Sequence, residues 1–113
     1  MYMVMLVLDD VNQLDAVLEA WEKVGIRGAT IVESTGIHRL RQKQVPMRFL
    51  FQKAGLVEEG NYSLFVIVGS EQMARDCLQA TEKIVGDLDL PNTGVFAAWQ
   101  LAICKGVPTS AEV

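Results

Sequence analysis

The chain contains four runs of apolar and β-branched residues, each short enough to be a strand. They lie at residues 3–8, 29–33, 62–68 and 95–99. The first and third runs are apolar at nearly every position, which is typical of strands buried on both faces. Residues 101–104 either continue the fourth strand or form a short fifth one. The first run is too short to span a bilayer and is predicted to be a buried strand.

Apolar residues recur at helical spacing between the first two runs. These positions are Val11, Leu14, Val17, Leu18, Trp21 and Val24. A stripe of this kind predicts a helix that buries one face. Asp10 or Asp9 is its candidate N-cap, with Gln13 completing a capping box, and Gly25 is the natural residue to end it.

A second helix is predicted after the third run. Its apolar stripe consists of Met73, Cys77, Ala80 and Ile84. Ser70 is the expected N-cap and Gly86 the expected end. The two helices also share a faint repeat at an offset of 60. The matching residues are Leu18, Ala20, Glu22 and Lys23 with Leu78, Ala80, Glu82 and Lys83.

The element order is βαββαβ, in a single domain over residues 1–113. Two β-α-β halves predict an α+β fold, a ferredoxin-like split β-α-β sandwich. It would have a long insertion between strands two and three and a flexible tail at about residues 107–113. The helices would cover one sheet face. Because strands one and three are apolar on both faces, we expect a second copy of the chain to cover the other face in a homo-oligomer.

Charge and cysteine content narrow the function classes. The net charge is −4 and the pI about 4.9, which argues against general nucleic-acid binding. Cys77 and Cys104 could pair, but two cysteines without a secretory signal are more simply reduced thiols in a cytoplasmic protein. Trp21 and Trp99 are expected to be core or interface anchors.

A basic tract at residues 35–57 interrupts this acidic chain. It has no Asp or Glu and holds five of the ten basic residues and the only histidine. A connection this long in a compact domain is usually functional or disordered. We expect this loop, about residues 35–61, to dock a partner protein; a flexible solvated loop is the alternative. The docking residues would be His38, Arg41, Lys43, Arg48, Phe49, Phe51 and Lys53.

Residues 87–94 are rich in turn-forming residues. A turn that joins the second helix to the fourth strand explains them; alternatively, Asn92, Thr93 and Gly94 could offer backbone N–H groups to a small anion. The glycine and distal glutamate of a calcium loop are missing here. His38 has no cysteine or acid cluster nearby in sequence, so no metal site is predicted.

One series of residues between Leu14-Asp15 and Gly36 matches a known pattern. The series is Val24, Gly25, Ile26, Gly28, Thr30, Glu33 and Gly36. In it the chain resembles the P-II nitrogen-regulatory signalling proteins, and the later elements agree in order over about residues 1–107. The resemblance implies a homotrimer whose sheets line a central barrel, with the long loop, the T-loop of that family, projecting from it.

The resemblance also implies a ligand and a site. P-II proteins bind ATP or ADP in clefts between subunits, many sense 2-oxoglutarate, and their T-loops engage transporters, enzymes or regulators. The sequence fixes no cofactor, and an adenine nucleotide (ATP, ADP or AMP) is the candidate ligand. The residues that correspond to the family's nucleotide site are Thr30, Gly36, Arg39, Gly86, Asn92, Thr93 and Gly94.

The chain departs from the family at the charged positions of that site. Gly94 stands where the family has a phosphate-binding lysine, and Ala102 and Cys104 stand where it has two arginines. Leu40 replaces a magnesium-binding glutamine. Desolvated phosphates need cationic partners, so the usual tight ATP binding is not expected. Residues 36–60 also contain no Ser, Thr or Tyr, so hydroxyl modification is not expected within the loop.

Together these features predict a trimeric signalling protein that is not an enzyme. It would sense a small ligand in inter-subunit clefts and act on a partner through its loop. The alternatives are a trimer like the divalent-cation tolerance proteins and a scaffold that has lost nucleotide binding. An acylphosphatase-like enzyme would need a basic phosphate loop where Asp9 and Asp10 stand. An RNA-recognition module would need exposed sheet aromatics, such as Phe65 and Phe96, on a basic surface.

The basic tract gives a direct test. Replacing Arg39, Arg41 and Lys43 together by Ala should leave the melting temperature nearly unchanged, because solvated loop charges contribute little to folding. The same change should abolish capture of the partner in pull-down experiments. A large loss of thermal stability would show instead that the tract is structural.

Overall fold

The computed structural model describes residues 1–34 and 60–107. In these ranges the elements are β1 (Tyr2–Leu8), a 3-10 turn (Val11–Gln13), α1 (Leu14–Lys23), β2 (Thr30–Ser34), β3 (Asn61–Val68), α2 (Glu71–Val85) and β4 (Gly94–Gln100). The strands form one sheet in the order β2-β3-β1-β4, and all neighbours are antiparallel. This α+β arrangement is compatible with the predicted ferredoxin-like sandwich. The predicted insertion lies outside the described residues.

The helix ends follow local sequence chemistry, with one exception. Ser70 Oγ accepts a hydrogen bond from Met73 N at 3.1 Å, and Gly86 ends α2 at a positive φ of 87°. The predicted capping box at α1 is wrong. A 3-10 turn separates Asp10 from α1, so Gln13 does not occupy the third position of the helix. Its Nε2 instead donates to the Ile84 carbonyl at 3.3 Å.

The core lies between the two helices and one face of the sheet. Alternate residues of the central strands point into it and are fully or almost fully buried: Val4, Leu6, Leu8, Leu64, Val66 and Val68. The helices contribute Val17, Trp21, Ala74, Cys77 and Ala80. Burying one such aliphatic or aromatic side chain contributes roughly 1.5–3 kcal/mol, so this layer is the main source of stability. The predicted core position of Cys77 is confirmed.

A buried hydrogen-bond chain joins the helices within this core. Trp21, only 1% exposed, donates from Nε1 to Thr81 Oγ1 at 2.8 Å. Thr81 Oγ1 in turn donates to the Cys77 carbonyl at 2.8 Å. A buried indole N–H needs a partner, and Thr81 supplies it without leaving its own hydroxyl unpaired. The prediction of Trp21 as a core anchor is confirmed.

The opposite side of the sheet, here called the open face, is not covered by any helix of the described residues. The strand register assigns to it Met3, Met5, Val7, Thr30, Val32, Ser34, Asn61, Ser63, Phe65, Ile67, Val95, Ala97 and Trp99. None of these thirteen residues carries a charge. Val32, Val95 and Trp99 are 47%, 54% and 45% exposed. Trp99 is therefore not a core residue.

The predicted strand at residues 101–104 is wrong for the described chain. β4 ends at Gln100, and residues 101–107 form no helix or strand. Gln100 pairs with Tyr2, the first residue of β1, so the residues after Gln100 extend past the end of the strand that β4 pairs with. Cys104, predicted as a strand residue, lies in this irregular segment. No helix among the described residues combines the length and apolarity needed to span a membrane.

The buried Trp21–Thr81 contact can be tested with two substitutions. Thr81→Val keeps the side-chain shape but leaves the Trp21 N–H unpaired, and should lower the free energy of unfolding by about 1–3 kcal/mol. Thr81→Ser keeps the hydroxyl and should cost less. Urea denaturation followed by tryptophan fluorescence measures both. Equal stability of the two variants would contradict a role for the hydroxyl.

Candidate functional site

The base of the long insertion and the turn before β4 lie at the same end of the sheet. In the register, Glu33 pairs with Tyr62, Tyr62 with Leu8, and Leu8 with Gly94. The end of β2, the start of β3, the end of β1 and the start of β4 therefore meet here. We call this region, residues 8–10, 33–34, 60–63 and 87–94, the loop end. It is the candidate functional site.

Side-chain hydrogen bonds fix the two points where the insertion joins the sheet. Ser34, the last residue of β2, pairs with Asn61, the first residue of β3. Ser34 Oγ donates to Asn61 Oδ1 and lies 3.1 Å from Ser63 Oγ. Next to it, the Tyr62 hydroxyl donates to Glu33 Oε1 at 3.4 Å. This cluster is not among the residues predicted from the sequence, where its only signal is a group of small polar residues beside the long loop.

Side chains of the turn at residues 87–94 and of the end of α2 hold the turn in place. Glu82 Oε2 accepts a hydrogen bond from Leu88 N at 3.0 Å, and Asp87 Oδ1 accepts one from Asp89 N at 2.9 Å. Thr93 Oγ1 donates to the Leu90 carbonyl at 2.8 Å. Two backbone N–H groups of the turn therefore already donate hydrogen bonds to carboxylates. This supports the interpretation as a helix-to-strand turn.

Gly94 is required by the backbone geometry of this turn. Its φ is +139°, and a Cβ built there would lie 2.3 Å from the Val7 carbonyl oxygen. Any larger side chain would force β4 away from β1, because a backbone carbonyl cannot move aside as a flexible side chain can. The lysine that the P-II family has at this position is therefore incompatible with this backbone.

The structure brings together only some of the predicted site residues. Asn92, Thr93 and Gly94 are adjacent in the turn, and Gly86 ends the helix that leads into it. Thr30 begins β2 at the other edge of the sheet. With β3 and β1 between them, β2 and β4 are separated by three strand spacings, about 14 Å. Within one chain, Thr30 and the turn therefore do not form a common site.

The other predicted site residues lie outside the described ranges. They are Gly36 and Arg39 of the predicted nucleotide site, and His38, Arg41, Lys43, Arg48, Phe49, Phe51 and Lys53 of the predicted docking loop. Of the two aromatics considered for RNA recognition, Phe65 is on the open face and Phe96 packs against the core. They lie on opposite faces of the sheet and do not form one stacking surface.

The described part of the loop end is acidic. Its carboxylates belong to Asp9, Asp10, Glu33, Asp87 and Asp89. Lys83, in the last turn of α2, is the nearest basic residue in sequence to the turn. A polyphosphate group placed here would be repelled by these carboxylates. In the sequence, the basic tract of residues 35–57 lies between Ser34 and Asn61, which are both at this end of the sheet.

Two further observations concern possible chemistry. Burial raises the pKa of the Cys77 thiol to about 12, with the Thr81 hydrogen bond acting in the opposite direction. A thiol with this pKa is protonated at neutral pH and is a poor nucleophile. Within residues 1–34 and 60–107, no group of three His, Cys, Asp or Glu side chains is arranged to hold a metal ion.

The geometry of Gly94 leads to a stability prediction. Gly94→Ala should lower the free energy of unfolding by more than about 1 kcal/mol, because Ala is strained at positive φ and its Cβ would overlap the Val7 carbonyl. Gly69→Ala is the matched control, since a Cβ there meets nothing within 4 Å. Thermal and urea denaturation of both variants measure the difference. Equal stabilities would show that the turn adapts freely.

Comparison with known proteins adds no family assignment. No protein-family model matches the chain, and no curated protein matches it significantly in sequence. The resemblance to P-II proteins therefore depends on the residues of the Leu14–Gly36 series and on the order of the elements.

Proposed function

We propose that the protein is a P-II-like trimeric regulator built on a ferredoxin-like sandwich, with residues 35–61 as its T-loop. It senses a small ligand, with an adenine nucleotide as the first candidate, and acts on a partner protein in the cytoplasm. One observation carries the proposal. The base of the insertion and the turn at residues 87–94 lie at the same end of the sheet but on opposite edges.

This geometry favours a ligand site between subunits. Within one chain, about 14 Å of sheet separates the turn from the β2 end of the insertion. A small molecule can contact both at close range where the β4 edge of one copy faces the β2 edge of the next. Thr30, at one edge, and Asn92, at the other, would then belong to the same cleft. A cleft between subunits is also where the P-II resemblance predicts the ligand.

The open face supports assembly of several copies. Each chain carries a net charge of −4, so copies repel one another through most of their surfaces. The thirteen residues of the open face are uncharged, and three of its large side chains are about half exposed. Burying apolar area contributes roughly 25 cal/mol per Å². In a trimer this face would be directed toward the centre.

The ligand would act by shifting the loop between conformations. A ligand changes such an equilibrium only through its different affinities for the two states. The insertion is anchored at Ser34 and Asn61, at the same end as the turn, so a bound ligand would be next to the loop's attachment points. The acidic loop end favours a ligand with few negative charges, such as AMP, over ATP.

A scaffold that has kept the fold and lost nucleotide binding is the second candidate. It is favoured by Gly94, whose close approach to the Val7 carbonyl excludes the lysine that binds phosphate in the family. On this interpretation the loop and its partner carry the function without a nucleotide.

The test is calorimetric titration with ATP, ADP, AMP and cyclic AMP, with the mass in solution determined on the same sample. We expect a trimer that binds at least one nucleotide at micromolar concentration, with AMP at least as tight as ATP because of the acidic loop end. A trimer that binds none supports the second candidate. A monomer would contradict the proposed assembly and with it the inter-subunit site.

A further inference from the structure

The segment after β4 exposes apolar residues. We call residues 101–107 the C-terminal arm. Ile103 is 89% exposed, against 40–58% for the other exposed large hydrophobic residues. Among the described residues, the arm makes one backbone hydrogen bond, from Leu101 N to the Met1 carbonyl at 2.9 Å. Residues 101–104 are uncharged and have a composition typical of a strand. None of the described strands pairs with them.

The outer edge of β2 also lacks a neighbouring strand among the described residues. β2 is an edge strand, so within the described chain its outer backbone groups face no other strand. Ile31 and Val32 are on opposite faces of the sheet and are 40% and 47% exposed. Exposed apolar edge strands pair readily with another chain unless charges or a covering segment protect them. Glu33 is the only charged residue of β2.

We propose that the C-terminal arm of one copy pairs with the outer edge of β2 in a neighbouring copy, with Ile103 packing beside Ile31 or Val32. The inference rests on the proposed homo-oligomer and specifies how its subunits are joined. Main-chain hydrogen bonds would join the arm to β2, as in other cases of strand addition. The apolar side chains would stabilise this contact.

Three features identify a second copy as the occupant. First, the arm starts at the β4 edge and its target is the β2 edge, so the contact is heterologous. Its repetition joins several copies, in a closed ring where the rotation between copies closes. Second, residues 101–104 and Thr30–Val32 are uncharged, so these acidic chains can approach there without burying like charges. Third, the arm's only charge, Lys105, is opposite in sign to Glu33 of β2.

The same chain cannot make this contact in the observed fold. Gln100, the last residue of β4, pairs with Tyr2, and two inner strands separate it from β2. The arm would use more than half of its seven residues to cross about 14 Å, at about 3.3 Å per residue. Too few would remain to pair along β2. The exposure of Ile103 agrees with this, since it contacts little of its own chain.

The first experiment compares the solution masses of the wild type, Ile103→Asp and Ala16→Asp over a range of concentrations by sedimentation velocity. Ala16 is the control, because it is exposed on α1, outside both the arm and the loop end. Ile103→Asp should raise the concentration at which the oligomer dissociates at least about tenfold. Ala16→Asp should change it little. Circular dichroism checks that both variants fold.

A second experiment tests the position of the contact. In a Cys104→Ser background, chains with Ile103→Cys are mixed with chains carrying Val32→Cys, refolded together and oxidised. We expect covalent dimers of the two chain types. Ala16→Cys, on the exposed side of α1, replaces Val32→Cys in the control mixture, and should give far fewer.

The outcomes separate this inference from the proposed function. If the wild type assembles and Ile103→Asp assembles equally well, the arm is not a joint and only this inference is overturned. The same holds if the two mixtures cross-link equally, because the arm then does not meet β2. If the wild type is monomeric at every concentration, both the assembly and the arm contact are overturned.

Discussion

The structure depends on one constraint: β1 and β3 carry apolar side chains on both faces, while the helices of the described residues cover only one of them. The helix-covered face buries Val4, Leu6 and Leu8 completely and holds the fold together. The open face is formed by the same strands, but its apolar side chains are partly exposed instead of buried. A one-residue shift in register would exchange the two sets. The pairing of β1 with its neighbours therefore decides both the stable core and the surface available for assembly.

The two halves of the chain meet most specifically where their helices touch. Trp21 and Thr81 are 60 residues apart, the same offset as the faint repeat in the sequence. They therefore occupy equivalent positions in the two β-α-β halves but have different side chains. The indole fills the space between the helices, and the hydroxyl accepts its N–H. Because Trp21 supplies the large ring and Thr81 the hydrogen-bond acceptor, the indole is buried in the core without leaving its N–H unpaired.

The two ends of the sheet have different characters. At the loop end, hydrogen bonds fix Ser34 to Asn61 and close the turn on itself, and the surrounding charge is negative. At the other end, the chain leaves β4 as an apolar arm. With β2 and β4 at opposite edges, each copy presents, within its described residues, one strand edge without a partner strand and one exposed arm. Pairing of the arm with the β2 edge of a neighbour would therefore make each copy both a donor and an acceptor of the same contact.

The sequence by itself determined the local features. The strand runs, the stripes of both helices, the cap at Ser70 and the glycine ends at Gly25 and Gly86 depend on residues close in the chain, and the structure has all of them. The basic tract and the departures from the P-II pattern are likewise properties of the sequence alone. The charges of the tract gave the docking hypothesis, which concerns residues outside the described ranges.

Only the tertiary structure decided which distant residues meet. Gln13 bonds to Ile84 instead of capping its own helix, because packing brings the end of α2 beside the start of α1. Residues 101–104 have the composition of a strand but pair with no described strand, since β1 begins at Tyr2, opposite Gln100. The order of strands separates Thr30 from the turn, and the approach of Val7 explains Gly94. Each outcome depends on pairing between segments far apart in the chain, and local propensity contains no information about that pairing.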